Sequence, residues 1–437
     1  MNSMTELPLQ AESAVTGWLC LVCGRNVPIS QPMVFRCPNA TVDDPWHALQ
    51  IVHSAQQIAQ LVSSSNPFIA YRPHFAWDAF GAALGLPCAE RVDLVETTNQ
   101  QVIEVCGTGF HSTPFARADS LSAALGFNEA GGVWIKDETH QVGGSHKARH
   151  LLSAMLALLI AESRGYFAGR PKLAIASCGN AAIAAAVLAA GVGWPIEVFV
   201  PPSAHPRVLE ELRKLGAQVT VCARRSNDAP GDPCILRYRE SVAAGSVPFS
   251  VQGPENAWCL DGGRSIGWEM ASVTLDRVFV QVGGGAFARC LFDGLAQGAP
   301  LQLPRFHAVQ TEGCAPLQRA WKRALDGPGG MATAASRWSE CMTPWEREPM
   351  SAADGILDDE TYDWLGVSNS MIASGGVPVV AAETDVLQAH QLCQTLTSID
   401  ASPTGTAGLA GLLAIRNQIG AHERVAVVFS GIRREPR

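Results

Sequence analysis

Lys136-Asp137-Glu138-Thr139-His140-Gln141-Val142-Gly143-Gly144-Ser145-His146-Lys147-Ala148-Arg149 runs from a β-like segment, Gly132–Lys136, through a Gly-Gly-Ser turn into a long apolar helix. Strand, glycine turn and helix in succession mark an α/β unit, with the turn at the carboxyl end of the strand. The pattern puts Lys147 at the start of the helix. The positive end of the helix dipole disfavours an ammonium there and lowers its pKa. That suits an amine that must attack an aldehyde. Taken alone, the residue reads more readily as a solvated surface lysine.

The alternation continues downstream. The apolar run Lys172–Ala176 precedes a helical pattern, Ala181–Ala190, expected to stop at Gly191. Ile196–Val200 is a strand, Arg207–Leu215 a helix opened by Pro206 and closed by Gly216, and Ala217–Cys222 a strand. Arg277–Val282, Phe306–Val309 and Val425–Phe429 are further strands, with a helix predicted over Thr406–Gln418. Strands alternating with helices imply parallel sheets covered on both faces. Trp321–Gly376 breaks the rhythm with four tryptophans and many acidic residues. It reads as an insertion near the site or a subunit contact, or as a stretch of ordinary core tryptophans.

Three more strand-to-helix junctions carry chemistry. In Ser177-Cys178-Gly179-Asn180-Ala181, small residues let backbone N–H groups approach a carboxylate at a helix N-terminus. Asn180 can hydrogen-bond a ring oxygen. In Gly283-Gly284-Gly285-Ala286, consecutive N–H groups form a phosphate cradle without the spacing of a dinucleotide or nucleotide loop. Ser430, before Gly431 at the end of the last strand, offers a hydroxyl to a neutral pyridine nitrogen.

The 437 residues predict two or three compact units, and a hydrophobic content of 47% supplies a large core. A net charge of −8 without a basic run argues against nucleic acid or an anionic membrane as partner. No apolar stretch is long enough for a membrane span. The N-terminal MNSMTELPLQ has no secretory pattern, and the scattered cysteines read as reduced thiols, so a cytoplasmic location is expected. Residues 1–53 form a separate extension with Cys20-x-x-Cys23 and Cys37 at zinc-knuckle spacing. Ala40 stands where a fourth cysteine would complete the set; His47 or Asp43 could take its place. The expectation is a knuckle without metal, packed on the larger lobe through Trp18 and Phe35.

The order of these four junctions resembles the tryptophan synthase β-subunit/threonine synthase/dehydratase superfamily of pyridoxal-phosphate (PLP) enzymes, called fold type II. Thr113-Pro114, Glu269 after Gly262–Gly267, and Ser351–Ile356 match other recurrent segments, and the likeness spans roughly residues 105–435. It implies an α/β fold of two doubly wound lobes: a small one at 147–248, and a large PLP-binding one combining 54–146 with 249–437. It implies that Lys147 carries PLP as a Schiff base and moves protons at the substrate Cα. Asn180 then touches the cofactor's 3′ oxygen, and Gly283, Gly284, Gly285 and Ala286 wrap the phosphate. Ser430 meets the pyridine nitrogen, and Ser177, Cys178, Gly179 and Ala181 bind the substrate carboxylate.

Within the superfamily the signals divide. His146-Lys147 resembles the tryptophan synthase pair, but Ser-Cys-Gly-Asn replaces the acidic substrate loop of those enzymes. Lys147-Ala148-Arg149 resembles serine and threonine dehydratases, whereas Gly179-Asn180-Ala181-Ala182 and the cysteine-bearing N-terminus lean toward threonine synthase. The expected activity is β-elimination on a small amino acid, of dehydratase or ammonia-lyase type, by a homodimer. The alternative is threonine synthase-like or other replacement chemistry.

Overall fold

The computed structural model describes residues 13–54, 63–298 and 302–434; the N-terminal MNSMTELPLQ lies outside them. Three sheets organise the chain. Strands β1 (Val15–Cys20), β2 (Asn26–Pro28) and β3 (Leu49–His53) form a small antiparallel sheet in the order β2-β1-β3. Strands β6 (Leu173–Ala176), β7 (Ile196–Val200), β8 (Gln218–Val221) and β9 (Val247–Pro248) form a parallel sheet in the order β8-β7-β6-β9.

The largest sheet has the order β12-β11-β10-β13-β5-β4. Its members are β4 (Phe115–Arg117), β5 (Gly132–Asp137), β10 (Arg277–Gln281), β11 (Arg305–Thr311), β12 (Val379–Ala381) and β13 (Arg424–Phe429). Only the edge strand β4 runs antiparallel. Every residue of β10 is buried, as helices on both faces of a parallel sheet require.

The elements fall close to where the patterns put them, with one instructive difference. The helix after β6 spans Asn180–Val192 and passes through Gly191. It stops at Gly193, which takes the left-handed conformation (φ 67°) that ends helices cheaply only in glycine. Gly191 instead lets a neighbouring backbone approach: a Cβ there would sit 3.4 Å from the Gln101 carbonyl.

One core joins the helices at Lys147–Ser163 and Asn180–Val192 to Phe68, Phe75, Trp77, Val95 and Val102. The packing therefore sets residues 67–106 beside the four-stranded sheet, although the sequence grouped them with the larger lobe. Trp18 lies in the same core, edge-on to Trp258 at 5.2 Å. Trp338 and Trp364 are buried under the largest sheet, so the core reading holds for those two tryptophans. The same segment also carries acidic residues to the glycine loop described below. Among the described residues no helix is long and apolar enough to cross a membrane.

Of the two residues that the sequence offered in place of a fourth cysteine, His47 lies beside the three thiols. The ligand atoms of Cys20, Cys23, Cys37 and His47 all lie within 4.8 Å of one another. The reason is strand register: Cys20 pairs with Leu49, which returns the chain so that His47 lies beside the first knuckle.

A buried charged cluster ties these parts together. Arg264 bonds Asp261, the His74 carbonyl and His53 Nε2 (2.6 Å), while Asp261 accepts the Ala76 N–H at 2.8 Å. His53 must stay neutral to accept from a guanidinium; burial first, and then Arg264, depress its pKa to about 2. Unfolded chains take up this proton near pH 6.5 while the folded chain does not. Stability is therefore complete above that pH and falls as pH drops, by about 1.4 kcal/mol per unit for one proton. The melting temperature should decline from pH 7 to pH 5, and the decline should be shallower in His53→Gln. An equal slope in the variant would remove His53 from this role.

Candidate active site

The Lys147 junction is built by paired turns. The Glu138 N–H donates to the Phe429 carbonyl (2.8 Å), so the loop leaving β5 starts beside the end of β13. Gly143 (φ 67°) and Gly144 (φ 73°) then turn the chain through the left-handed region. A Cβ on Gly144 would come within 2.7 Å of Ile432. Next, the His146 N–H donates to Ser430 Oγ (3.0 Å) and its ring Nδ1 lies 2.5 Å from the same oxygen. The His146 ring stacks on Phe287 at 3.8 Å. The helix Lys147–Ser163 follows at once. Burial pushes the Lys147 ammonium below its usual range, with Asp358 working in the opposite direction.

Two residues on, Arg149 is fully buried between two carboxylates. It donates to Glu138 (2.9 Å), to Glu269 (2.6 Å), to Ser265 Oγ (3.0 Å) and to Thr113 Oγ1 (3.2 Å). Lys136 bonds Glu269 and the Thr113 carbonyl, and Thr113 bonds Glu138. Burial opposes charge on Arg149, but Glu138 and Glu269 outweigh it and hold the guanidinium above its usual value. Two cations thus face two anions. In the sequence Thr113, Glu269 and Arg149 stand out only as recurrent; here they form one cluster.

The other junctions lie close by: Asn180 abuts Gly431, next to the Ser430 that bonds His146, and the glycine loop meets Asp358. Ser177 follows β6, and its Oγ accepts the Gly179 N–H at 3.4 Å. A Cβ on Gly179 would meet nothing within 4 Å, so the loop faces open space there. Asn180 opens its helix, and Ala181 behind it is buried. The Asn180 amide abuts Gly431, where a Cβ would come 2.7 Å from its nitrogen, and its Oδ1 accepts from Arg434 at 3.3 Å. Cys178 is an exposed thiol of this loop.

Gly283, Gly284 and Gly285 lead from β10 into the helix Ala286–Gly298. A Cβ on Gly283 would collide with the Asp358 carboxylate, and one on Gly284 would lie 3.2 Å from the Tyr362 ring. The Asp363 N–H donates to the Gly284 carbonyl at 2.8 Å. Burial raises the Asp358 carboxyl to about 6, against the pull of Lys147. Sequence reasoning missed Asp358, Tyr362 and Asp363. Their sole sequence signal was an acidic bias in the stretch that breaks the strand–helix rhythm.

Comparison with known proteins accords with this geometry. A threonine synthase of Methanosarcina acetivorans is 24% identical over 331 residues, covering 73% of this chain and 74% of that protein. An L-serine dehydratase of Saccharomyces cerevisiae is 27% identical over 207 residues, 44% of this chain and 59% of its own length. The crystal structure of a T.th. threonine deaminase superposes with a TM-score of 0.59 at 21% identity, covering 78% of this chain and 98% of that one, and shows the shared fold. The sequence profile of the pyridoxal-phosphate dependent enzymes matches residues 108–431, well over half of the 437, and the chain belongs to that family.

Proposed function

We propose that the chain is a PLP-dependent lyase performing β-elimination on a small amino acid, of dehydratase or ammonia-lyase type. The observation that carries this is the nearness of an amine of lowered pKa, a glycine cradle and an open carboxylate loop to one another. The residues present fit the cofactor. A Cβ on Gly283 would run into the Asp358 carboxylate, so only a chain of glycines leaves the space in which a phosphate would be held. Gly283, Gly284, Gly285 and Ala286 would hold that phosphate at a helix N-terminus. Asn180 would hold the ring oxygen and Ser430 the ring nitrogen, with Lys147 as the covalent anchor. When bound, PLP supplies an electron sink for the carbanion at Cα.

The chain's own residues do the rest. Ser177, Cys178, Gly179 and Ala181 bind the substrate carboxylate through N–H groups at the start of the Asn180 helix. Lys147 takes the Cα proton as general base, and its lowered pKa keeps a fraction of the amine neutral for that purpose. Ser430 offers a hydroxyl rather than a carboxylate. It therefore leaves the ring nitrogen unprotonated and favours prompt loss of a β-substituent over reprotonation at Cα. A small lobe around the four-stranded sheet, a large lobe around the six-stranded sheet, and a cytoplasmic homodimer belong to the same proposal.

The match to a threonine synthase over 74% of its length favours a second reading, replacement at the β or γ carbon. Release of ammonia and a keto acid from serine or threonine without an added nucleophile supports elimination. Inorganic phosphate release from a phosphorylated substrate supports replacement instead. Lys147→Ala should lower turnover by about a thousandfold or more while leaving the circular dichroism spectrum unchanged. Borohydride reduction of the PLP-loaded protein should fix the label on Lys147; a label on another lysine would overturn the assignment.

A further inference from the structure

The N-terminal extension contains a ligand set that the PLP chemistry does not use. Cys20 and Cys23 flank a tight turn in which the Gly24 N–H donates to the Cys20 carbonyl (3.0 Å), with Gly24 left-handed at φ 70°. Cys37 opens a second turn, closed by the Ala40 N–H on the Cys37 carbonyl (2.9 Å). The Cys23 and Cys37 sulfurs lie 3.7 Å apart, and Cys20 Sγ lies 3.3 Å from His47 Nδ1. Tetrahedral zinc with bonds of about 2.3 Å to sulfur and about 2.0 Å to nitrogen needs S–S edges of about 3.8 Å and S–N edges of about 3.5 Å. These two edges match that tetrahedron, and all four ligand atoms lie within 4.8 Å of one another.

Asn39 Nδ2 donates to Cys23 Sγ at 3.4 Å and so fixes the position of that sulfur in the cluster. His47 is oriented as well. Its Nε2 lies 3.2 Å from the Asp44 carboxylate, which can only accept when ionised. The ring proton therefore sits on Nε2, and the Nδ1 lone pair faces the sulfurs, a carboxylate–histidine–metal arrangement. Between Pro28 and Leu49 the chain has no regular secondary structure, a length of loop that calls for an internal tie.

We propose that Cys20, Cys23, Cys37 and His47 bind one zinc ion in a closed structural site. Three soft thiolates and an imidazole select zinc over the hard divalent cations, and a filled fourth position leaves no room for water or substrate. The ion would tie both turns to the strand pair β1/β3. It would thereby fix Phe35, whose carbonyl accepts the Ala257 N–H at 2.8 Å, and Trp46, which stacks on Trp338 at 5.8 Å.

Elemental analysis of the full-length holoenzyme should find about one zinc per chain, lost in a Cys20→Ser/Cys23→Ser/Cys37→Ser variant. His47→Cys should retain the metal and His47→Ala should weaken it. The cobalt-substituted protein should show a thiolate-to-metal charge-transfer band and the intense d–d absorption of a tetrahedral centre. Cys23 is an exposed thiol in this structure, so without metal it should alkylate readily. With zinc, mass spectrometry should find Cys20, Cys23 and Cys37 protected until a chelator is added, and the melting temperature should drop on that addition. If the triple variant fails to fold, the cobalt spectrum and the alkylation pattern of the unaltered chain decide. Unprotected Cys23 in zinc-supplemented protein, or cobalt without the charge-transfer band, would overturn the proposal.

Discussion

The buried guanidinium of Arg149 fixes the geometry on which the Lys147 junction depends. Residues two apart on a helix point to nearly opposite sides. With Arg149 held between Glu138 and Glu269, Lys147 is turned away from that cluster and toward the glycine loop. The pairing also crosses three elements. Glu138 follows β5, Glu269 lies on the helix Arg264–Met270, and Thr113 precedes β4. A buried pair contributes little net stability against a well-packed apolar substitute, but losing one partner strands a charge at a cost of about 3–5 kcal/mol. The cluster is thus better understood as a device that sets one orientation than as a source of stability.

A second face of the same helix is set by aromatic packing. His146 and His150, four residues apart, both meet Phe287 on the helix that follows the glycine loop. His150 Nδ1 lies 2.7 Å from the Cys259 carbonyl, so its ring is fixed from the other side as well. Burial, then Lys147, hold His150 neutral, with its pKa lowered to about 3. The Lys147 helix and the glycine loop are therefore mechanically linked through Phe287, one residue beyond Ala286. A shift of the glycine loop cannot leave the lysine helix unaffected.

Much of this was legible in the sequence because buried parallel strands leave a strong trace. Arg277–Gln281 and Arg424–Phe429 are apolar runs ended by glycine or serine-glycine, and each junction falls at a carboxyl end. Contacts set by register or long separation were not legible. His146 meets Ser430 across 284 residues, and no local pattern announces the pair. His47 joins Cys20 through the β1/β3 pairing, whereas a spacing rule looked for a fourth cysteine near residue 40. Asp358 and Asp363 arrive on a segment without helical or strand period, where residue type alone gives no position.

Asp358 shows why that last class resists prediction. A carboxyl buried beside the glycine loop and near a lysine is a local inconsistency for folding alone: burial disfavours its charge, and an apolar residue would pack there without that conflict. Under the proposed function the position makes sense, because the glycine loop is then a site for anions. Consecutive N–H groups at the start of the Ala286 helix attract negative charge whether a side chain or a phosphate supplies it. A phosphate offers more acceptor oxygens and more charge than one carboxylate, so it competes favourably for the same donors. The local cost is tolerated because Asp363 and Arg289 lock the neighbouring backbone independently of Asp358, through the Asp363–Gly284 hydrogen bond and the buried Arg289–Asp363 pair. The fold can therefore keep the cradle in shape while its anion changes.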